Sequence, residues 1–333
     1  MKGAARTHLS VALGVLAAPL AGCRDSQSVL SAQGPEAERV AMLSWVLFLG
    51  GAAIMVAVML LLATAMFGSP RWRTWLSREL VVVGGGIVFP AVTLTALLAY
   101  GLLATRAGGA AADDDEALRI SVIGEQWWWR VIYTQPDGSR FESANEVRIP
   151  TGRRAELALT TADVIHSFWV PNLAGKLDMI PGRTNVLTLK ADRPGVSRGQ
   201  CAEYCGGAHA LMAFNVVALA PDAFASWLAG EAAPATPPEG SLEEEGQLLF
   251  LSSGCGGCHA IRGTEARGTI GPDLTHLGSR RSLAAGTLRN DADAIADWIV
   301  RNQHIKPDNR MPPFGIFSGP QLAALSQYLA SLK

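Results

Sequence analysis

The stretch Cys201-Ala-Glu203-Tyr-Cys205-Gly-Gly-Ala-His209-Ala-Leu-Met212 puts two thiols, an imidazole and a thioether in one short loop. This is a soft donor set. Thiolate and thioether together favour copper over zinc, because zinc sites draw on Cys, His and carboxylate and rarely on Met. His166, in Asp163-Val-Ile-His166-Ser-Phe-Trp-Val-Pro171, precedes the loop by a β-type segment, and a neighbouring strand end would bring a second imidazole to it. Taken singly, Cys201 and Cys205 also suit an exported disulfide or a zinc site, and His166 suits a hydrogen-bonded strand histidine. A second cluster follows at Gly254-Cys255-Gly-Gly-Cys258-His259. Two thiols at that spacing reach the vinyl groups of a porphyrin and the adjacent His reaches its iron, the attachment signature of a covalent haem c. A thioredoxin-like CxxC is the competing reading, but it gives His259 no task and no βαβ pattern surrounds it. The other axial position must be filled from later in the chain, where Met311, His276 and His304 are available.

These groups need a scaffold, and the chain supplies it in sections. Between 119 and 219 short alternating or β-branched runs, such as 156–161, 184–190 and 213–219, are punctuated by Pro-Gly turns, which predicts a small β-sandwich over 117–230. An Ala- and Pro-rich stretch then leads into Glu243, Glu244 and Glu245, so 231–241 reads as a semi-rigid linker. Helical patterns over 243–251, 292–300 and 319–332 predict an all-α domain at 242–333.

Upstream, 40–70 and 80–105 hold no charged residue, and each exceeds the roughly 20 residues that span a bilayer, which predicts membrane helices at about 41–67 and 80–103. Arg71, Arg73 and Arg78 between them, against Asp113, Asp114, Asp115 and Glu116 beyond, place the short loop in the cytoplasm and both chain ends outside. Gly84, Gly85, Gly86 and Pro90 inside the second helix imply a membrane partner that packs there. Lys2 and Arg6 before the apolar run 9–20 resemble a secretory signal over 1–22. The five cysteines, at 23, 201, 205, 255 and 258, divide into one, two and two rather than into a disulfide framework. Lys+Arg 28 against Asp+Glu 29 leaves no basic field for a nucleic acid.

Leu20-Ala21-Gly22-Cys23 resembles a bacterial lipobox, which implies a diacylated Cys23 as mature N-terminus. The ligand loop resembles, at each ligand position, the binuclear copper centre CuA of cytochrome c oxidase subunit II. Lys176-Leu-Asp178-Met-Ile-Pro181-Gly182-Arg183 and Gly124-Glu-Gln-Trp127-Trp128-Trp129 look like the same family. That resemblance implies a cupredoxin-like Greek-key sandwich in which Cys201 and Cys205 bridge both coppers. His166 and Met212 would complete one copper, and His209 with the Glu203 backbone carbonyl the other. The Glu203 side chain would reach a magnesium ion shared with subunit I, and Trp127 would receive incoming electrons. Three adjacent tryptophans on a strand would serve equally as packing on both faces of the sheet.

Asn309-Arg-Met311-Pro-Pro-Phe-Gly315 resembles the methionine loop of small, class I cytochromes c, which makes Met311 the second axial ligand; His/Met ligation would raise the haem potential. The order of motifs resembles the fused-cytochrome, caa3-type oxidases. This implies an electron-entry subunit on the outer, periplasmic face of a bacterial inner membrane, embedded in lipid beside subunits I and III. A cytochrome c or upstream cytochrome complex would be the donor, and oxygen reduction and proton pumping would belong to the partner. A membrane carboxylate common in the family is missing from 80–89, leaving only Glu79 at the edge. Two other readings share the motifs: the relay subunit of a CuA-type nitric-oxide reductase, and a lipoprotein that handles copper or senses redox state.

Overall fold

A computed structural model describes residues 26–108, 117–135 and 137–333; the predicted signal at 1–22 and Cys23 lie outside the described residues. The chain divides into two compact units, one of residues 38–115 and one of the remainder.

In the first unit, α1 (Pro35–Phe67) is 33 residues long, about 50 Å at 1.5 Å per residue, so it begins earlier than the charge pattern predicts and exceeds a bilayer core. A short helix α2 (Pro70–Leu76) carries Arg71 and Arg73, and Arg73 Nε donates back to Ala65 O at 2.8 Å. The second apolar helix is not uniform. It runs as α3 (Glu79–Val83), a π segment at Gly84–Val88, and α4 (Phe89–Gly108). The cause is Pro90, which has no N–H and whose ring would strike the carbonyl of Gly86 four residues earlier; a wider π turn relieves both. Apolar side chains such as Leu80 and Phe67 stay exposed around these helices. Pro35–Phe67 and Glu79–Ala104 are both long and apolar enough to cross a membrane.

The second unit opens with two five-stranded sheets packed face to face. One has the order β3-β2-β1-β5-β8, from β1 (Leu118–Glu125), β2 (Trp128–Thr134), β3 (Arg140–Ala144), β5 (Ala155–Thr161) and β8 (Asn185–Leu189). The other has the order β4-β10-β9-β6-β7, from β4 (Glu146–Pro150), β6 (His166–Trp169), β7 (Leu177–Met179), β9 (Gly195–Cys201) and β10 (Ala213–Leu219). β1 pairs parallel with β5 and β10 parallel with β4, so the chain crosses between sheets as a cupredoxin-like sandwich does. Alternation drives the packing: Ile120, Val122, Trp129, Val131, Tyr133, Leu157 and Leu159 point inward from their strands. Trp129 meets Phe168 and Phe214 edge-on at 5.6 and 5.0 Å. Gly199 on β9 lets the Phe214 ring lie against the backbone, since a Cβ there would come within 2.1 Å of it. The segment 26–34, for which no role is legible in its sequence, lies on the sandwich through Gln33 N to Asn172 O (2.7 Å) and Arg198 N to Ser26 O (3.0 Å).

Helix α5 (Pro221–Ala232) leaves the sandwich with Phe224 and Glu231 buried, so the linker begins at 233 rather than 231, and Ala235 N donates to Arg262 O at 2.9 Å. The predicted α-domain follows as α6 (Ser241–Ser252), α7 (Ala292–Ile305) and α8 (Gly319–Ser331), with a small hairpin of β11 (Ser282–Leu283) and β12 (Leu288–Arg289). α6 crosses α8 at Gly246, where a Cβ would stand 2.2 Å from Ala324 O and 2.6 Å from Tyr328 Cβ. Gly246→Ala gains up to about 1 kcal/mol of helix propensity. Overpacking at that crossing costs about 1–3 kcal/mol, which wins. Thermal unfolding of the full chain followed by haem absorbance is therefore expected to show a lower midpoint for this variant.

Candidate copper centre and haem cavity

β6 and β9 are paired, Phe168 opposite Cys201, which sets His166 at the start of one strand beside Cys201 at the end of the other. The loop after β9 then folds back. Cys201 N donates to Met212 O at 2.9 Å, closing 202–211 into a compact hoop that includes a 3-10 turn at His209–Leu211. His166, Cys201, Cys205 and Met212 are buried, whereas Glu203 and Tyr204 in the same loop are exposed.

The donor atoms converge. Cys201 Sγ lies 3.7 Å from Cys205 Sγ, 3.8 Å from His166 Nδ1 and 3.2 Å from Glu203 O. Cys205 Sγ lies 3.5 Å from His209 Nδ1 and 3.8 Å from Met212 Sδ. Ligand atoms of His166, Cys201 and Cys205 all fall within 4.8 Å of one another. The sulfur separation is far from the roughly 2.05 Å of a disulfide, and both thiols are free. A hydrogen bond from Cys205 drives the Cys201 pKa down, with the His166 ring acting in the same direction. The same hydrogen bond pushes Cys205 up, because the two sulfurs hold one proton between them. Burial acts to lower the His166 pKa, but its hydrogen bonds to Cys201 and Asp163 outweigh this and the net shift is upward. Asp163 Oδ1, 2.9 Å from His166 Nε2, selects the tautomer that leaves Nδ1 facing the sulfurs. Two thiols, two imidazoles, a thioether and a carbonyl thus suit a thiolate-bridged copper pair.

Trp127 is not on a strand, where the packing alternative for the three tryptophans places it. It lies in the turn between β1 and β2, 7% exposed, and its Nε1 donates to Cys205 O at 3.0 Å. Gln126 Nε2 donates to the same oxygen at 2.8 Å, and Gln126 N to Asp163 Oδ2 at 2.8 Å. Trp129 packs in the sandwich core as well, while Trp128 lies under the Arg130 guanidinium at 4.7 Å.

Cys255, Cys258, His259 and Met311 line one deep cavity of the α-domain, walled by Leu274, Ile295, Trp298, Ile299, Phe314 and Leu325. His259 Nδ1 is 2.8 Å from Pro272 O, which fixes the proton on Nδ1 and leaves Nε2 free for iron. Burial pulls its pKa down, keeping the imidazole neutral and ready to ligate. The rivals to Met311 are engaged elsewhere: His276 Nε2 is 3.0 Å from Ala233 O, and His304 is exposed. Arg280, buried with an unpartnered Nε, also lines the cavity, offering a cation to an acidic group of a porphyrin. Neither Arg280 nor Asp163 stood out in the sequence, because only tertiary packing assigns them.

The cavity does not end in the α-domain. Trp127 and Trp128 form part of its wall, so the tryptophan bonded to Cys205 also borders the cavity that Cys255, Cys258, His259 and Met311 line. The domains are tied by Ala213 N to Ala285 O (2.9 Å), Arg130 Nη2 to Thr269 O (2.8 Å) and Arg281 N to Glu146 Oε2 (3.1 Å). Lys306 belongs to the same seam: its Nζ donates to Trp127 O (2.6 Å), Leu211 O (2.9 Å) and Ala284 O (3.1 Å). Burial pulls its pKa to about 7. Three carbonyl acceptors nevertheless match the three N–H bonds of an ammonium, not the two of a neutral amine.

A family model described as the periplasmic domain of cytochrome c oxidase subunit II matches residues 135–219, and a cytochrome c model matches 243–333. Cytochrome c oxidase subunit 2 of Alkalihalophilus pseudofirmus is 41% identical over 214 residues, 64% of this chain and 61% of that protein. Its counterpart in Bacillus sp. strain PS3 is 32% identical over 253 residues, 72% of this chain and 69% of that protein. The chain thus spans less than two thirds of the first relative's length and slightly more of the second's. Among solved structures, the periplasmic domain of subunit II of cytochrome oxidase of Bradyrhizobium japonicum is 34% identical, covering 34% of this chain and 92% of that one at a TM-score of 0.33. With its copper-type donor set, its haem attachment motif and these relatives, the chain belongs to the cytochrome c oxidase subunit 2 family and carries a fused C-terminal cytochrome c domain.

Proposed function

We propose that this chain is the electron-entry subunit of a haem-copper oxidase, taking electrons at a haem held by Cys255, Cys258, His259 and Met311 and handing them through a copper pair to a catalytic subunit that reduces oxygen and pumps protons. The copper and haem would supply one-electron redox chemistry, and the protein's part is to hold, orient and shield. Cys201 and Cys205 would bridge the coppers; His166 and Met212 would cap one, His209 and the Glu203 carbonyl the other. Asp163 holds the His166 ring in the tautomer that leaves Nδ1 toward the sulfurs, and Arg280, in the cavity wall, would offer its cation to a haem carboxylate. A single observation carries the reading. Trp127 borders the haem cavity while its indole N–H is bonded to the backbone of Cys205.

The Glu203 side chain, exposed and 4.0 Å from Lys176 Nζ, would bind magnesium beside subunit I. The apolar helices Pro35–Phe67 and Glu79–Ala104 would anchor the chain in a bacterial plasma membrane against subunits I and III, with both redox domains on the periplasmic side. Cys23 would add a lipid anchor, and a cytochrome c or a cytochrome complex would be the donor. Purification of the full chain from membranes tests this. The chain separated from its partner is expected to hold about two coppers per covalent haem, and the membrane preparation a co-purifying haem subunit and oxygen uptake driven by reduced cytochrome c. Zinc, a single blue copper, or freely exchangeable copper would overturn the reading.

A further inference from the structure

Lys306 is unusual for a charged residue at a seam. It is 3% exposed, pairs with no carboxylate among the described residues, and spends all three N–H bonds on backbone carbonyls from three separate segments. Trp127 O belongs to the turn whose indole is bonded to Cys205 O. Leu211 O belongs to the hoop that ends in Met212, and Ala284 O to the hairpin region of the α-domain. Lys306 itself ends α7, five residues before Met311. A buried cation is costly unless its hydrogen bonds are satisfied, and here they are satisfied only while the two domains are docked.

We propose that Lys306 is a positioning residue that locks the methionine loop of the haem domain onto the Trp127 turn and the copper-ligand hoop, so that transfer between the two centres occurs within one docked unit. The proposal rests on the relay reading above. Main-chain acceptors make the lock independent of neighbouring side chains, and three acceptors from three segments define a position rather than a mere attraction. Asp308, two residues on, holds a left-handed backbone (φ 63°), and its carboxylate borders Gly207 of the hoop, which keeps the same short stretch against the copper loop.

The test is the rate of haem-to-copper transfer after photoreduction of the haem in the purified full chain carrying copper and haem. Lys306→Met is expected to slow that transfer by about tenfold or more, as loss of close positioning does, with near-infrared copper and haem spectra retained. Lys306→Arg, which keeps the charge and several donors, is expected to recover most of the rate. A wild-type rate in Lys306→Met, or failure of Lys306→Arg to restore any of it, would overturn the proposal. Acetylation footprinting of the unmutated chain gives an answer even if the Met variant does not fold. Lys306 should stay unmodified while Lys176 and Lys333 react, and reaction of Lys306 as fast as Lys176 would overturn it. Absence of any haem-to-copper transfer in the wild-type chain would defeat the relay reading itself, a result distinct from an unaffected variant.

Discussion

Cys205→Ser is expected to abolish the near-infrared absorption of the copper pair while leaving the haem bound. Cys205 Sγ stands between Cys201, His209 and Met212 at 3.5–3.8 Å, so its removal takes away the one atom within reach of all three. A serine hydroxyl is a hard, weakly acidic donor and does not bridge copper as a thiolate does. The fold should survive. The substitution changes one atom, and the Cys205 carbonyl still accepts from Gln126 and Trp127. Cys205 does not line the haem cavity, so covalent haem should appear at the wild-type level. Loss of a residue that merely supports a metal ligand costs about 10–100-fold, so loss of a bridging ligand should lower oxygen uptake by at least about 100-fold. Metal analysis, absorption spectra and turnover on one preparation check all three, and a persistent near-infrared band would break the ligand assignment.

Trp127→Phe is the second large effect, and it separates transfer from assembly. An aromatic ring stays in place, but the indole's second ring and its N–H to Cys205 O are lost. Gln126 still bonds that oxygen, so the stability cost should be only about 1 kcal/mol and both centres should assemble. Transfer from haem to copper is expected to fall by about tenfold or more, because the bonded bridge between cavity wall and copper loop is broken. Trp128→Phe is the control. Trp128 borders the same cavity but packs under Arg130, and no bond from it to the copper loop exists among the described residues. Transient absorption should show a small change there, and a larger loss in Trp128→Phe than in Trp127→Phe would move the route.

Much of the site is legible in the sequence because its donors are local. Five of the six proposed copper ligands lie from Cys201 to Met212, and the proposed haem thiols and His259 fall within the five residues 255–259. Strong periodicity likewise gives α8 and the strands β5, β8 and β10 nearly to the residue, whereas α7 runs five residues beyond the predicted 292–300. What escapes is set by tertiary contact. The three adjacent tryptophans suit a strand as well as an electron port, yet the chain turns at Trp127, which is buried beside Cys205 while Trp129 is buried in the sandwich. Lys306 looks like an ordinary helix-end lysine before a proline, since its three acceptors lie 22 to 179 residues away. The π segment before Pro90 is invisible to a hydropathy run, which registers apolarity but not the clash of a ring with a carbonyl.

The most direct measurement is photoreduction of the haem in the full chain with simultaneous recording of the haem and near-infrared copper bands. If the indole between them links cavity and copper loop, haem reoxidation and copper bleaching should share one rate that does not change with protein concentration. A haem that stays reduced beside an unchanged copper band, or a rate proportional to concentration, would contradict transfer within one docked chain.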